Sequence, residues 1–282
     1  MIICTKKKKL ADLLFKKNAS VGFVPTMGAL HEGHLSLIEK SKQDNAITVC
    51  SIFVNPTQFN DKADFEKYPR TTEQDILLLN KADCDILFLP DAEEMYPAHE
   101  PVKVYELNYL EQVLEGKYRP GHFQGVCRIV DKLLQIVQPG KLYLGQKDYQ
   151  QCMVIKKLIQ DHFSGSIELV ICTTLREPSG LAMSSRNMRL SKDARQKAVA
   201  IFNSLQQIQN HIQHTAFASL EETIVKSLLQ SGFDKIDYVV IANAENLREE
   251  LHFNPQKKYV ALIAAFINGV RLIDNLLLNT EV

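Results

Sequence analysis

The chain reads as α/β: a Rossmann-like parallel sheet with helices on both faces, plus a smaller C-terminal α+β domain with an antiparallel sheet. Three observations predict this. Short apolar runs alternate with segments of helical periodicity over the first two thirds of the 282 residues. One run, AITVCSIFV (46–54), is continuous and β-branched, as a strand buried on both faces should be. After about residue 175 the order changes to helices and then strands, and the last two strands meet at Asn268-Gly269, a hairpin signal. The expected domains are therefore 1–175 and 176–282.

Each element follows from its pattern. SVGFVP (20–25) is a buried strand, and HLSLIEKSKQDN (34–45) a helix. TTEQDILLLNKA (71–82) opens on a capping Thr and carries apolar residues at helical spacing. CDILFLP (84–90) is the next strand. GVCRIVDKLLQIVQPG (125–140) is an amphipathic helix closed by Pro139-Gly140. KLYLG (141–145), YQQCMVIKKLIQDH (149–162) and IELVICTT (167–174) continue as strand, helix and strand. Beyond the loop REPSGLAMSSRN come two helical segments, 192–213 and 217–232, then strands 235–242, 258–269 and 270–278.

Composition narrows the function. Lys+Arg and Asp+Glu are both 33, so the net charge is zero, which argues against a nucleic-acid binder. The lysines at 6–9 read as a solvated face. No window approaches the roughly 18 apolar residues a bilayer span needs, so no membrane role is expected. LADLLFKKNAS is too short and too charged for a signal segment. The 6 cysteines are scattered without a C-x-x-C pair and read as buried free thiols of a reduced compartment. The expectation is a cytoplasmic enzyme.

In such sheets ligands bind beyond the carboxyl ends of the strands. Polar clusters follow strands at 25–34, 55–58 and 145–151. In the first, His31 and His34 stand three residues apart where a helix begins. The free N–H groups and dipole of that helix favour an anion, and imidazoles add hydrogen bonds to phosphate oxygens. Two histidines at this spacing could also chelate a metal. The intervening Gly33 and the lack of a nearby Cys or Asp favour phosphate. Asn55 and Gln58 bracket Pro56, where amides can fix a hydroxyl or carboxylate. Lys147 can reach a phosphate, while Asp148 can cap a helix, hold a ribose hydroxyl or bind Mg²⁺. Ser184, Ser185 and Arg186 offer two hydroxyls and a planar cation, a phosphate clamp.

PTMGALHEGHLSL, NPTQF, YPRT, YRPGHFQGV, GQKDYQQ and GLAMSSRN, in this order, resemble the pantoate–β-alanine ligases, or pantothenate synthetases, of the H-x-G-H nucleotidyltransferase superfamily. The resemblance implies an AMP-forming acid–amine ligase. ATP would activate (R)-pantoate as pantoyl-adenylate with loss of pyrophosphate, and β-alanine would displace AMP to give pantothenate. It implies Mg²⁺ accompanying ATP and a homodimer through the N-terminal domain. Residues 1–175 would bind ATP and pantoate, and residues 176–282 would close over the active site.

Site residues follow from the matching motifs. Met27, Gly28, Ala29, Leu30, His31, Glu32, Gly33 and His34 would contact ATP, with His34 the proton donor and His31 on phosphate. Gly145, Gln146, Lys147 and Asp148 would form a second ATP contact, Lys147 through phosphate. Met183, Ser184, Ser185 and Arg186 would form a further clamp, and Leu175 would lie beside adenine. Pro25, Met27, Asn55, Gln58 and Gln151 would face pantoate and β-alanine. His31, His34, Lys147 and Arg186 form the implied catalytic set, and Asp75 an implied metal contact. Arg119 and His122 would lie near the rim. Gln146 departs from the family's usual Glu, and Gln74 stands where some relatives have an acid. The rival readings are a nucleotidyltransferase acting on a phosphorylated alcohol and a silent nucleotide-binding protein.

Overall fold

The structure is a computed structural model that describes residues 1–17, 19–98 and 100–278. It divides into two compact units: Met1–Gly145 with Val154–Thr173, and Gln146–Met153 with Thr174–Val282.

The first unit is built on six strands: β1 (Ile2–Cys4), β2 (Val21–Thr26), β3 (Ile47–Ile52), β4 (Ile86–Phe88), β5 (Lys141–Gly145) and β6 (Glu168–Cys172). Their order is β1-β4-β3-β2-β5-β6, and every pairing is parallel. Val24, Cys50 and Leu87 form one core cluster with Leu37, Ile38 and Leu79, which come from helices Glu32–Asp44 and Thr72–Lys81. Phe23, Val49 and Ile86 point to the opposite face and are fully buried too, so both faces are covered. The run ITVCSI is the central strand β3, buried at every residue. From β2 the chain runs outward through β3 to β4, then returns to build β5 and β6 on the other side of β2. The order therefore reverses between β2 and β5, the place where α/β sheets open a ligand crevice at their carboxyl ends. Residues 25–28 leave β2 there, and Gly145 ends β5 there.

The second unit carries an antiparallel sheet of β7 (Lys235–Asn243), β8 (Tyr259–Ile267) and β9 (Val270–Leu278). Asn268 and Gly269 both take positive φ, 53° and 68°, as a two-residue hairpin turn of the right twist requires. Helices Ala200–His211 and Phe217–Gln230 bury Leu205, Ile208, Ile224 and Leu228 against Ile241, Tyr259 and Ile263. Among the described residues, no helix is long and apolar enough to cross a membrane.

Three features differ from the sequence reading. β1 and the helix Lys7–Lys17 were not anticipated: β1 has 3 residues, and the helix buries only Leu10. The segment 192–213 forms two helices, Lys192–Lys197 and Ala200–His211, because Val199 and Ile201 bond three residues back, to Gln196 and Ala198. Residues 146–153 also group with the second unit, which a boundary near 175 does not capture; a side chain of β9, Asn275, ties them there.

Candidate active site

In the first unit the site grows from the end of β2. The Thr26 hydroxyl donates to the Ser51 carbonyl at 2.8 Å and accepts from the Gly28 N–H at 3.2 Å. Gly28 and Ala29 then take φ of 81° and 50°, two left-handed residues in succession. This turn aims the Ala29 and Leu30 N–H groups at one carboxylate: they donate to Asp75 Oδ2 at 3.0 Å and Oδ1 at 2.8 Å. The Thr71 hydroxyl donates to the same group at 3.1 Å. Asp75 is 1% exposed. Both oxygens of Asp75, implied by the resemblance as a metal contact, accept hydrogen bonds from within this unit. Among the described residues, no group of three His, Cys, Asp or Glu could hold a metal ion. Asp75 anchors the loop.

Beyond that loop His31, in extended backbone, caps the helix Glu32–Asp44. Its N–H donates to His34 Nδ1 at 3.3 Å, and the two rings lie 4.0 Å apart. With Nδ1 accepting, a neutral His34 carries its proton on Nε2 and presents a donor there. Both imidazoles are half-buried, and Glu32 between them is exposed.

The turn after β3 supplies the amides. Gln58 is oriented by Asn55, whose Nδ2 donates to Gln58 Oε1 at 2.9 Å and to the Gly125 carbonyl at 3.1 Å. That leaves Gln58 Nε2 directed at Met27 Sδ, 3.2 Å away. Asn55 Oδ1 accepts from the Tyr96 hydroxyl at 2.7 Å and the Thr57 hydroxyl at 3.0 Å. Asn55 is 1% exposed, so it does not face a substrate as expected; burial and saturated hydrogen bonding make it the support of Gln58. His122, expected near the rim, is buried, and its Nδ1 donates to the Gln58 carbonyl at 2.8 Å. Gly125 permits the close packing: a Cβ there would lie 2.1 Å from the Thr57 carbonyl oxygen. A cavity of about 300 Å³ is lined by Met27, Gly28, Phe53, Arg70, Thr71 and Asp75, among others.

In the second unit Lys147 and Asp148 follow β5 in a tight turn, paired at 3.4 Å, with Gln151 half-buried in the next helix, Tyr149–His162. Residues 175–187 form a closed loop. Arg176 and Ala182 make an antiparallel bridge, and the Met183 N–H donates to the Leu175 carbonyl at 3.0 Å. Leu175 is 40% exposed, an apolar surface beside polar residues. Ser184 caps a short turn by accepting from the Arg186 N–H at 3.3 Å. Asn187 locks the loop through its amide to Glu177 Oε1 at 2.9 Å and the Ala182 carbonyl at 3.0 Å.

Comparison with known proteins places the whole chain in one family. The family model described as pantoate-beta-alanine ligase matches residues 2–277. The chain belongs to the pantoate–β-alanine ligase family. The pantothenate synthetase of Cytophaga hutchinsonii is 47% identical over 265 residues, 93% of each chain, and that of Thermotoga petrophila 43% over 273 residues, 96% of each. Among solved structures, the pantothenate synthetase of Thermus thermophilus superposes with a TM-score of 0.90 at 38% identity, covering 98% of this chain and 99% of that one. The pantoate-beta-alanine ligase of Francisella tularensis, complexed with beta-gamma ATP and beta-alanine, gives 0.84 at 39% identity, covering 100% and 99%. The chain is thus a ligase of pantothenate biosynthesis, joining pantoate to β-alanine.

Sequence reasoning missed Thr26, the anchoring role of Asp75, and the support that Gly125 and His122 give Gln58. One signal was available: Asp75 and Leu79, one helical turn apart, are the buried residues of their helix, so a carboxylate sits on an apolar stripe.

Proposed function

We propose that the ligation runs through pantoyl-adenylate, with ATP held by residues 27–34 of the first unit and residues 145–148 and 183–186. Leu175 offers the apolar surface for adenine. The pantoate carboxylate attacks the α-phosphorus, a C–O–P linkage forms, and pyrophosphate leaves. The free amine of β-alanine then attacks the acyl carbon, the amide bond forms with loss of one amine proton to solvent, and AMP leaves with the electron pair of the broken C–O bond.

No protein nucleophile is needed. The enzyme has to orient two substrates and stabilise charge growing on phosphate. His34 Nε2–H and His31 supply hydrogen-bond donors and Lys147 and Arg186 positive charge to offset it, and Gln58 and Gln151, with Pro25 and Met27, position pantoate. The observation that carries the reading is the His31–His34 pair at the start of the Glu32–Asp44 helix, its donor on Nε2 set by the 3.3 Å bond to Nδ1. Both Asp75 oxygens already accept hydrogen bonds from the 27–30 loop. Mg²⁺ enters with ATP on its phosphates, as this ion usually does. All 6 cysteines are free, which suits a cytoplasmic enzyme. The reading includes a homodimer, which light scattering checks.

The test is pyrophosphate release with ATP and Mg²⁺, with and without D-pantoate, before β-alanine is added. A pantoate-dependent burst close to stoichiometric with sites, then turnover on adding β-alanine, is expected. His34→Ala and Lys147→Ala should each lose about 100-fold or more of this burst while folding normally. Release that ignores pantoate would overturn the adenylate reading.

A further inference from the structure

Two neighbouring residues of β9 hold two loops of the second unit. Asn275 is 2% exposed. Its Nδ2 donates to the Gln146 carbonyl and to the Lys147 carbonyl, both at 2.9 Å. Its Oδ1 accepts from Gln146 Nε2 at 3.2 Å. Asp274 receives the Arg176 guanidinium on both oxygens, at 2.6 Å and 3.1 Å. That guanidinium also donates to the Gly180 carbonyl at 3.1 Å and lies 3.9 Å over the Phe202 ring. Arg176 belongs to the bridge that closes loop 175–187.

The side chain of Asn275 is spent on the loop rather than on its own sheet, whose ladder with β8 is made by backbone groups. Both of its donors go to consecutive carbonyls, and the second carbonyl belongs to the residue whose ammonium would meet ATP. Fixing the Lys147 carbonyl fixes the origin from which its side chain extends. Asp274 does the same for the loop that presents Leu175 and residues 183–186. Gln146 is not a passive replacement: its amide donates to the clamp.

We propose that Asn275 is a positioning residue for Lys147, and that the Asp274–Asn275 pair keys both ATP-contacting loops of this unit to strand β9. This rests on the reading that Lys147 contacts ATP.

The test is a double-mutant cycle with Asn275→Ala and Lys147→Ala, read as pantoate-dependent pyrophosphate release over a range of ATP concentrations. Asn275→Ala should lower kcat/KM for ATP by about 10-fold, as a misplacement of under 1 Å does, and leave KM for pantoate within about twofold. In the Lys147→Ala background the same substitution should change the rate by less than about twofold, because its effect acts through the missing ammonium. Asn275→Ser, which keeps one hydroxyl donor, should recover part of the loss. Circular dichroism and thermal unfolding establish that each variant is folded, and Asn275→Ser carries the cycle if Asn275→Ala is not. Losses that multiply in the double variant, or a folded Asn275→Ala with unchanged kcat/KM, would overturn the positioning role alone. An unimpaired Lys147→Ala would overturn the ATP contact, and the positioning role with it.

Discussion

Replacing Asp75 by Asn tests whether a buried carboxylate shapes the nucleotide loop. Asp75 Oδ2 and Oδ1 accept from the Ala29 and Leu30 N–H groups at 3.0 Å and 2.8 Å. An asparagine keeps one acceptor and turns an NH₂ toward the other N–H donor. The loss is one charge-assisted bond, worth about 1.5–3 kcal/mol, plus one unsatisfied buried N–H, worth about 1–3 kcal/mol. Together about 2.5–6 kcal/mol is expected, a large share of the roughly 5–15 kcal/mol that stabilises a domain. Much of it should appear as relaxation of the loop. Ala29, a non-glycine residue, is held at φ 50°, which the anchor has to maintain. Urea unfolding measures the stability, and pantoate-dependent pyrophosphate release measures the site, where about a 100-fold loss is expected. Wild-type stability and rate would refute the anchor. Rescue of Asp75→Asn by raised Mg²⁺ would also refute it and restore a metal contact.

Two other perturbations probe the same unit. Gly125→Ala places a methyl group 2.1 Å from the Thr57 carbonyl oxygen and 2.7 Å from Gln58 Cα, so the 55–58 turn must move. KM for pantoate should rise by about 10-fold, and an unchanged KM would remove Gln58 from the pantoate site. Burial pushes the Asp131 carboxyl up, but hydrogen bonds from Lys103, Tyr105 and Gln135 outweigh it and hold the group below the usual carboxylate range. Its contribution to stability is therefore complete above about pH 4 and is lost as pH falls through the lowered native value. Asp131→Asn should flatten this acid limb in urea titrations between about pH 6 and 2. Parallel limbs in the two proteins would show that Asp131 is not the source.

What the sequence determined by itself was local. Strands β2 to β9 and the longer helices between them follow from short apolar runs bounded by turn residues and from the 3.6-residue period, which need no partner to be seen. β1 escaped because its 3 residues lack the longer flanking apolar run that marks the equally short β4, and a lysine run follows them. The break after Lys197 escaped because the apolar pattern runs through it unchanged. The histidine pair, the Asn-Pro turn and the Gln-Lys-Asp turn were legible because each directly follows a strand, where the chain must present polar groups.

What only the tertiary structure decided was the use of the buried polar residues. Asp75 holds an N–H 45 positions away, and Asn275 meets Gln146 129 positions away. Nothing in the residues around Asp75 distinguishes a carboxylate that binds a cation from one that receives two amides. Asn55 was legible as a polar residue in the right turn, but its direction, into Gly125 and Tyr96 rather than toward a ligand, depends on the helix His122–Val137 packing against that turn. Burial makes each such group find a partner, and only the folded chain determines which partner is within reach.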